Sequence, residues 1–216
     1  MKKLLGAAAF AVAIAGGASA DDDTVRSETL DLVGFDRIKI AGVYELDVRV
    51  GDDFSITLTG PAYEMDRVEA SVENGALVLD QRRKNRNMRN RNTRDGVEAV
   101  ITMPSLTALN VSGVVDGSVA GVDADNFDLN VSGVGDINID GECGVLDAKV
   151  SGVGDLNARN LECREAEIRV SGVGSASVFA SDEIDAKISG MGDIDVYGSP
   201  EQVRKNSGMF AEITVH

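Results

Sequence analysis

Apolar and polar residues alternate with a period of two along much of the chain. In the C-terminal half, segments such as Leu129-Asn130-Val131 and Ile137-Asn138-Ile139 flank short glycine-rich stretches. A period of two places the apolar side chains on one face of a strand, so each segment is predicted to be half buried. The pattern therefore predicts an all-β protein made of many short strands.

The tripeptide Ser-Gly-Val interrupts this alternation at a nearly constant spacing. It occurs four times, and Ser189-Gly190-Met191 is a fifth copy; the copies begin at Ser112, Ser132, Ser151, Ser171 and Ser189, so the repeats are 18 to 20 residues long. Repeats of this length indicate units that cannot bury their apolar faces alone. Because a propeller blade needs roughly 40 residues, the spacing predicts a parallel β-solenoid. In such a stack, Val131, Val150 and Val170 should form one internal column.

Paired glycines mark the corner of each repeat. Gly133 and Gly135 are one such pair, and they allow the backbone to bend where a Cβ atom would clash. Residues 38–48 align with residues 129–139, with Ala41 replacing the serine and Tyr44 the second glycine. Asn74-Gly75 predicts a β-hairpin. We expect residues 21–104 to form a less regular β-rich cap and residues 105–216 to form the solenoid.

The first 20 residues have the pattern of a secretory signal peptide. Lys2 and Lys3 precede a short apolar stretch, and Ala18-Ser19-Ala20 offers a cleavage site between small residues. No later segment is long and apolar enough to span a bilayer. We therefore expect an exported protein, in the periplasm, at the cell surface or outside the cell, with no transmembrane segment in the mature chain.

Charge is distributed unevenly. The formal net charge of −15 makes nucleic acid an unfavourable partner, because its phosphates would be repelled. Segment 81–96 is the exception, and its lack of an apolar period predicts a loop. We call its cations the basic tract: Arg82, Arg83, Lys84, Arg86, Arg89, Arg91 and Arg94. The tract is either a solvated loop, which could lie on the protein's own acidic face, or a binding site for an anionic surface polymer.

Both cysteines lie eight residues before the serine of their repeats. Cys143 and Cys163 should therefore be neighbours in adjacent repeats, within the Cα separation that a disulfide tolerates. An exported protein meets an oxidising compartment. The sequence predicts a Cys143–Cys163 disulfide.

Acidic residues recur after the glycine corners. Asp116, Asp136, Asp155 and Asp193 share one position, with Ser175 interrupting the column. Such carboxylates could bind calcium, with Asp136 and Asp155 as candidate ligands. The calcium-binding solenoid motif is absent, however, and an Asp after a corner commonly bonds its own turn amides. We therefore expect turn chemistry, and no metal or cofactor.

The corner residues resemble a known family. The run Gly135-Asp136-Ile137-Asn138, related runs at Gly154 and Gly192, and residues 34–60 are similar to the bacterial head GIN domain family. Its members are exported proteins labelled auto-transporter adhesins and were first catalogued as a domain of unknown function. The resemblance covers residues 35–215. It implies a right-handed β-helix-like fold, an exported location and no established activity.

Two functions are compatible with this sequence. One is a non-enzymatic adhesin-like or envelope-associated module that binds a cell-envelope or surface polymer. The other is a carbohydrate-active β-helix enzyme, a lyase or hydrolase acting on acidic polysaccharide. Such sites depend on long loops, whereas the repeats are joined by short connections, and the only histidine is His216. The sequence favours the binding module and predicts no catalytic residue; the ligand and the oligomeric state are open at this stage.

Overall fold

The computed structural model describes residues 24–82 and 96–216, which form β-strands with one short helix, α1 (Ala62–Met65). The strands are β1 (Val25–Leu30), β2 (Arg37–Ala41), β3 (Val43–Val50), β4 (Ser55–Pro61), β5 (Val68–Glu73), β6 (Ala76–Gln81), β7 (Val97–Met103), β8 (Ala108–Val111), β9 (Val114–Val131), β10 (Ile137–Val150), β11 (Leu156–Val170), β12 (Ala176–Phe179), β13 (Glu183–Ile188), β14 (Gly192–Tyr197), β15 (Gln202–Ser207) and β16 (Ala211–Val215). The all-β prediction is confirmed. Within these residues, no helix has the length and apolar character needed to cross a membrane.

Successive repeats pair as parallel strands with like residues side by side. Val150 pairs with Val131 on one side and with Val170 on the other. All three valines are at most 7% exposed. The predicted internal column is therefore present, and stacking removes from water an apolar face that one repeat could not bury alone.

The strands of the central repeats are longer than expected. The sequence predicts two short strands in each repeat, whereas β9, β10 and β11 span 18, 14 and 15 residues. Each of them runs from the second half of one repeat into the first half of the next. We call a glycine corner together with its two flanking strand segments a rung.

The first rung along the chain is not the first in the stack. Strand β2 pairs in parallel with both β6 and β8, and β3 pairs in parallel with both β7 and β9. The rung formed by β2 and β3 therefore lies between the β6–β7 pair and the rung that opens the regular repeats. The predicted alignment of residues 38–48 with the repeats is confirmed, since Val43 pairs with Val114 at the corner.

The two ends of the stack are finished differently. At the N-terminal end, β4 pairs antiparallel with β7 and β1 with β4, while β5 forms the predicted hairpin with β6 through Asn74 and Gly75, both with positive φ. At the other end, the outermost strand β15 is exposed at every residue. Its Lys205 continues the buried column of Ile168 and Ala186, and its Nζ donates a hydrogen bond to the Ile213 backbone oxygen. An ammonium at this position ends the core, as charges at sheet edges commonly do.

Candidate binding surface

Backbones of successive rungs approach each other at the corners more closely than a side chain would allow. A Cβ atom added to Gly152 would lie 1.8 Å from the Gly133 backbone oxygen, and one added to Gly154 would lie 2.1 Å from the Gly135 oxygen. The φ of Gly154 is +140°, which side chains disfavour. Two glycine columns therefore run along the stack because the next backbone occupies the space of the missing side chains.

Between these glycine columns, each rung exposes one apolar side chain. We call these residues the apolar row: Val43, Val114, Val134, Val153, Val173, Met191 and Phe210. Parallel bridges join Val114 through Met191, and the register places Val43 and Phe210 at the two ends. Exposed fractions range from 38% for Val43 to 73% for Phe210. Sequence reasoning missed this row; the available signal was an apolar residue held between two glycines, where it cannot turn inward.

The acidic column beside the corner holds neighbouring rungs together. Asp136 Oδ1 accepts a hydrogen bond from the Asp155 backbone N–H at 2.9 Å, and Asp155 Oδ1 accepts one from the Ser175 N–H at 2.8 Å. The expectation that these carboxylates bond their own turn amides is wrong, because the amides they meet belong to the next rung. A charge-assisted bond of this kind stabilises stacking rather than a single turn.

The same side of the stack carries an acidic groove of about 390 Å³. Its carboxylates come from Glu45, Asp47, Glu98, Asp116 and Asp136. Among residues 24–82 and 96–216, no group of three or more His, Cys, Asp or Glu is arranged to hold a metal ion.

The serines of the corners act as hydrogen-bond donors to backbone. Ser112 Oγ donates to the Ile40 oxygen at 3.3 Å, and Ser132 Oγ donates to the Val111 oxygen at 3.2 Å. In both cases the acceptor belongs to the preceding rung. The serine hydroxyls therefore add hydrogen bonds between successive rungs.

The single histidine contacts two side chains at the end of the stack. His216 Nε2 lies 2.8 Å from Asp195 Oδ1, and its ring stacks on that of Tyr197 with centroids 4.6 Å apart. Arg159 covers the Tyr197 ring as well, at 4.1 Å from the centroid. The cluster fixes the last strand against its neighbours through ring stacking, a cation–π contact from Arg159 and the hydrogen bond between His216 and Asp195.

A cationic groove runs across the face on the serine side of the corner. Its volume is about 350 Å³, and it is lined by Lys149, Arg169, Lys187 and the serines of the same three rungs. Lys149 Nζ lies 2.9 Å from Asp147 Oδ2, and Arg169 is paired with Glu167. Acidic and basic side chains therefore lie side by side along this face. Lys187 has no ion-pair partner within the part of the chain that the structure describes.

Gln81 and Gly96, the two ends of the segment that carries the basic tract, both lie beside Val43, the first residue of the apolar row. The Val43 N–H donates to Gln81 Oε1 at 3.0 Å, and a Cβ atom on Gly96 would lie 3.0 Å from the Val43 oxygen. Arg82 lies on the protein's own surface, with Nε 3.2 Å from Glu69 Oε1 and an N–H donated to the Asp66 oxygen. The other six cations of the tract, which are Arg83, Lys84, Arg86, Arg89, Arg91 and Arg94, lie outside the described residues.

The structure has one disulfide, between Cys143 and Cys163. The two residues pair directly in the parallel register of β10 and β11, with Cα atoms 4.4 Å apart. Their side chains point into the core and are at most 8% exposed. The predicted bridge therefore joins two adjacent rungs.

A protein-family comparison matches most of the chain. The family model described as "Putative auto-transporter adhesin, head GIN domain" matches residues 34–200. No curated protein matches this chain.

Several solved structures share the fold. A "putative adhesin" from Bacteroides fragilis is 23% identical, with a TM-score of 0.72 over 89% of this chain and 97% of that chain. A "putative adhesin" from Parabacteroides distasonis is 20% identical, with a TM-score of 0.50 over 89% and 98% of the two chains. At these identities the similarity concerns the fold alone.

Proposed function

Since this chain belongs to the head GIN domain family, we propose that it is an exported, non-enzymatic binding module of the adhesin type. Its partner is an anionic polymer of the cell envelope or the cell surface. The family description and the shared fold of the solved adhesin-like structures support a binding role.

We further propose how the chain is processed on export and how the mature protein is organised. Residues 1–20 are removed on export, residues 21–104 cap the stack, and residues 105–216 wind as a right-handed parallel β-solenoid. The in-register parallel pairing of β9, β10 and β11 supports this winding. A stack of this kind presents the same side-chain position once per rung, about every 4.8 Å.

The cationic groove is the observation that supports an anionic partner. Lys149, Arg169 and Lys187 occupy one column in three successive rungs, so their charges repeat along the stack. Lysine and arginine side chains donate hydrogen bonds and accept none. A polymer with repeating carboxylates or phosphates offers the complementary row of acceptors.

The basic tract adds a second contact for the same polymer. Its seven cations lie within thirteen residues, and the segment enters and leaves the fold at Val43. Attraction to a polyanion is long-ranged and falls with added salt.

The groove is tested with the variant Lys149→Gln/Arg169→Gln/Lys187→Gln. An exposed ion pair contributes about 0.5–1 kcal/mol, so three losses should weaken binding to a polyuronate or to lipopolysaccharide vesicles by about tenfold or more. Isothermal titration at low salt measures the change. The matched control, Arg26→Gln/Arg49→Gln/Arg164→Gln, removes the same charge elsewhere and should bind within about twofold of wild type.

Equal binding by the groove variant and wild type would contradict this role for the groove. A tract variant with Gln at Arg83, Lys84, Arg86, Arg89, Arg91 and Arg94 tests the second contact, and we expect weaker, less salt-sensitive binding. Turnover of the polyuronate, lost in Asp136→Asn and Asp155→Asn, would instead favour the carbohydrate-active enzyme.

A further inference from the structure

We propose that the apolar row is an interface at which two copies of this chain associate side by side, with their stacks parallel and in register. This inference goes beyond polymer binding, because it concerns the corner of the stack rather than the cationic groove.

The row is long and continuous. Its seven side chains occupy consecutive rungs, which at a spacing of about 4.8 Å gives a length of about 29 Å. Single exposed apolar residues are common on protein surfaces, whereas a contiguous apolar strip marks an interaction site. Phe210, at one end, is 73% exposed and is the largest member.

A second copy fits the row better than an irregular partner does. Glycines flank each row residue from Val134 to Met191 on both sides, so no side chain of the same rung stands next to it. The row of a second copy has the same spacing, so the two rows match along their length. The side chains of the second copy can pack against the glycine backbone on either side of each row residue. Such a self-complementary contact is the usual form of a two-fold dimer.

The polar columns beside the row determine the orientation. Ser132 lies two residues before Val134, and Asp136 lies two residues after it. A two-fold axis parallel to the stack places the serine side of one copy against the acidic side of the other, so that no column of carboxylates faces another. An axis perpendicular to the stack places acidic columns against each other, and like charges repel. The parallel arrangement is therefore the favoured one.

The size of the strip indicates a weak dimer. The strip between the serine column and the acidic column, both included, is five residues wide. At 3.4 Å per residue this width is at most about 17 Å. A strip of about 29 Å by 17 Å buries roughly 500 Å² per copy, below the 800 Å² or so of a stable complex. We therefore expect dimers only at high protein concentration.

Single cysteine variants of the oxidised protein test the interface. In a parallel dimer each row residue meets its own counterpart, so Val134→Cys and Val173→Cys should each form a self-cross-linked dimer under mild oxidation. Asp123→Cys, which is exposed on β9 but lies outside the row, is the control. We expect cross-linking at least about tenfold faster for the row variants, because the interface raises the effective concentration of the thiols.

Two results would overturn the proposal. Cross-linking of the row variants no faster than that of Asp123→Cys would exclude the interface. A mixture of Val134→Cys and Val173→Cys that cross-links to each other, while neither does so alone, would exclude the parallel orientation. As a second measurement, sedimentation should show a concentration-dependent dimer for wild type that Val134→Asp/Val153→Asp/Val173→Asp abolishes. Polymer binding by the cysteine variants, which add no charge, is expected to persist, so the two proposals can fail separately.

Discussion

At the scale of single residues, the corner depends on the absence of side chains. The Gly133 oxygen occupies the space that a Cβ atom of Gly152 would need, and the Gly152 oxygen does the same at Gly172. Any side chain would have to force two backbones apart, and the neighbouring rungs would lose their hydrogen bonds. At these positions glycine is therefore required by packing, because the next backbone occupies the space of a side chain.

We expect Gly152→Ala to destabilise the fold strongly. The clash is with backbone, which cannot move aside, so the cost should exceed about 3 kcal/mol, the upper end of ordinary overpacking. Urea denaturation measures it. Gly34→Ala is the control: Gly34 has a positive φ, which Gly152 does not, and no atom lies within 4 Å of its added Cβ, so backbone conformation alone should cost only about 1–2 kcal/mol. If both variants lost the same free energy of unfolding, packing at the corner would be unimportant.

Tyr44 links stability to alkaline pH. Its side chain is 3% exposed, and burial, followed by the nearby Asp80 carboxylate, raises the pKa of its hydroxyl above the usual value. The unfolded chain therefore loses this proton at a lower pH than the folded one. The contribution of Tyr44 to the free energy of unfolding is therefore fully present below about pH 10 and is lost as the pH rises further.

The variant Tyr44→Phe should remove that part of the pH dependence. Its free energy of unfolding should fall less steeply than that of wild type between about pH 9 and 11, from a lower starting value because the contact with the Asp80 oxygen is lost. Urea titrations across this range provide the measurement. Parallel curves for the two proteins would show that Tyr44 ionises alike in both states.

At the scale of elements, the rungs are joined by hydrogen bonds and one disulfide, in addition to the corner serines that donate to the preceding rung. Strand hydrogen bonds run along the whole register, Asp136 and Asp155 bond the amides of the following rung, and Cys143–Cys163 joins β10 to β11 covalently. Each contact acts between neighbours, which is the usual source of stability in repeat proteins.

Loss of the disulfide should weaken the stack without changing its register. The bridge closes a segment with a sequence separation of 20, so Cys143→Ala/Cys163→Ala should lower the free energy of unfolding by about 3 kcal/mol. Wild type measured with and without reductant provides the control. Intact mass after alkylation of the unreduced, unfolded wild type should reveal no free thiol; two alkylated thiols would exclude the bridge.

The elements differ in how far sequence could predict them. Strands with a period of two and the Asn74-Gly75 hairpin follow from local chemistry and were predicted. Two features depend on neighbouring rungs: the amide partner of Asp155 and the outward direction of Val153. The pairing of β2 between β6 and β8 could not be predicted, because it joins segments far apart in the chain.

At the scale of the whole molecule, one apolar core runs through both halves of the chain. Phe35, Leu58 and Met103 belong to the same buried cluster as Leu146, Ile168 and Ile194. The N-terminal strands cover one end of this core, while Lys205 and the exposed strand β15 close the other. The surface that remains is a repeating one, with every column set by the register of the rungs.

Every surface column depends on the register of the rungs, which can be measured with paired cysteines outside the corner. Asn138 and Asn157 are direct neighbours in adjacent rungs, whereas Asn138 and Ser177 are two rungs apart. We predict that intact mass under oxidising conditions will show a new disulfide in Asn138→Cys/Asn157→Cys and two free thiols in Asn138→Cys/Ser177→Cys. Free thiols in the first variant, or a disulfide in the second, would contradict the stacking described here.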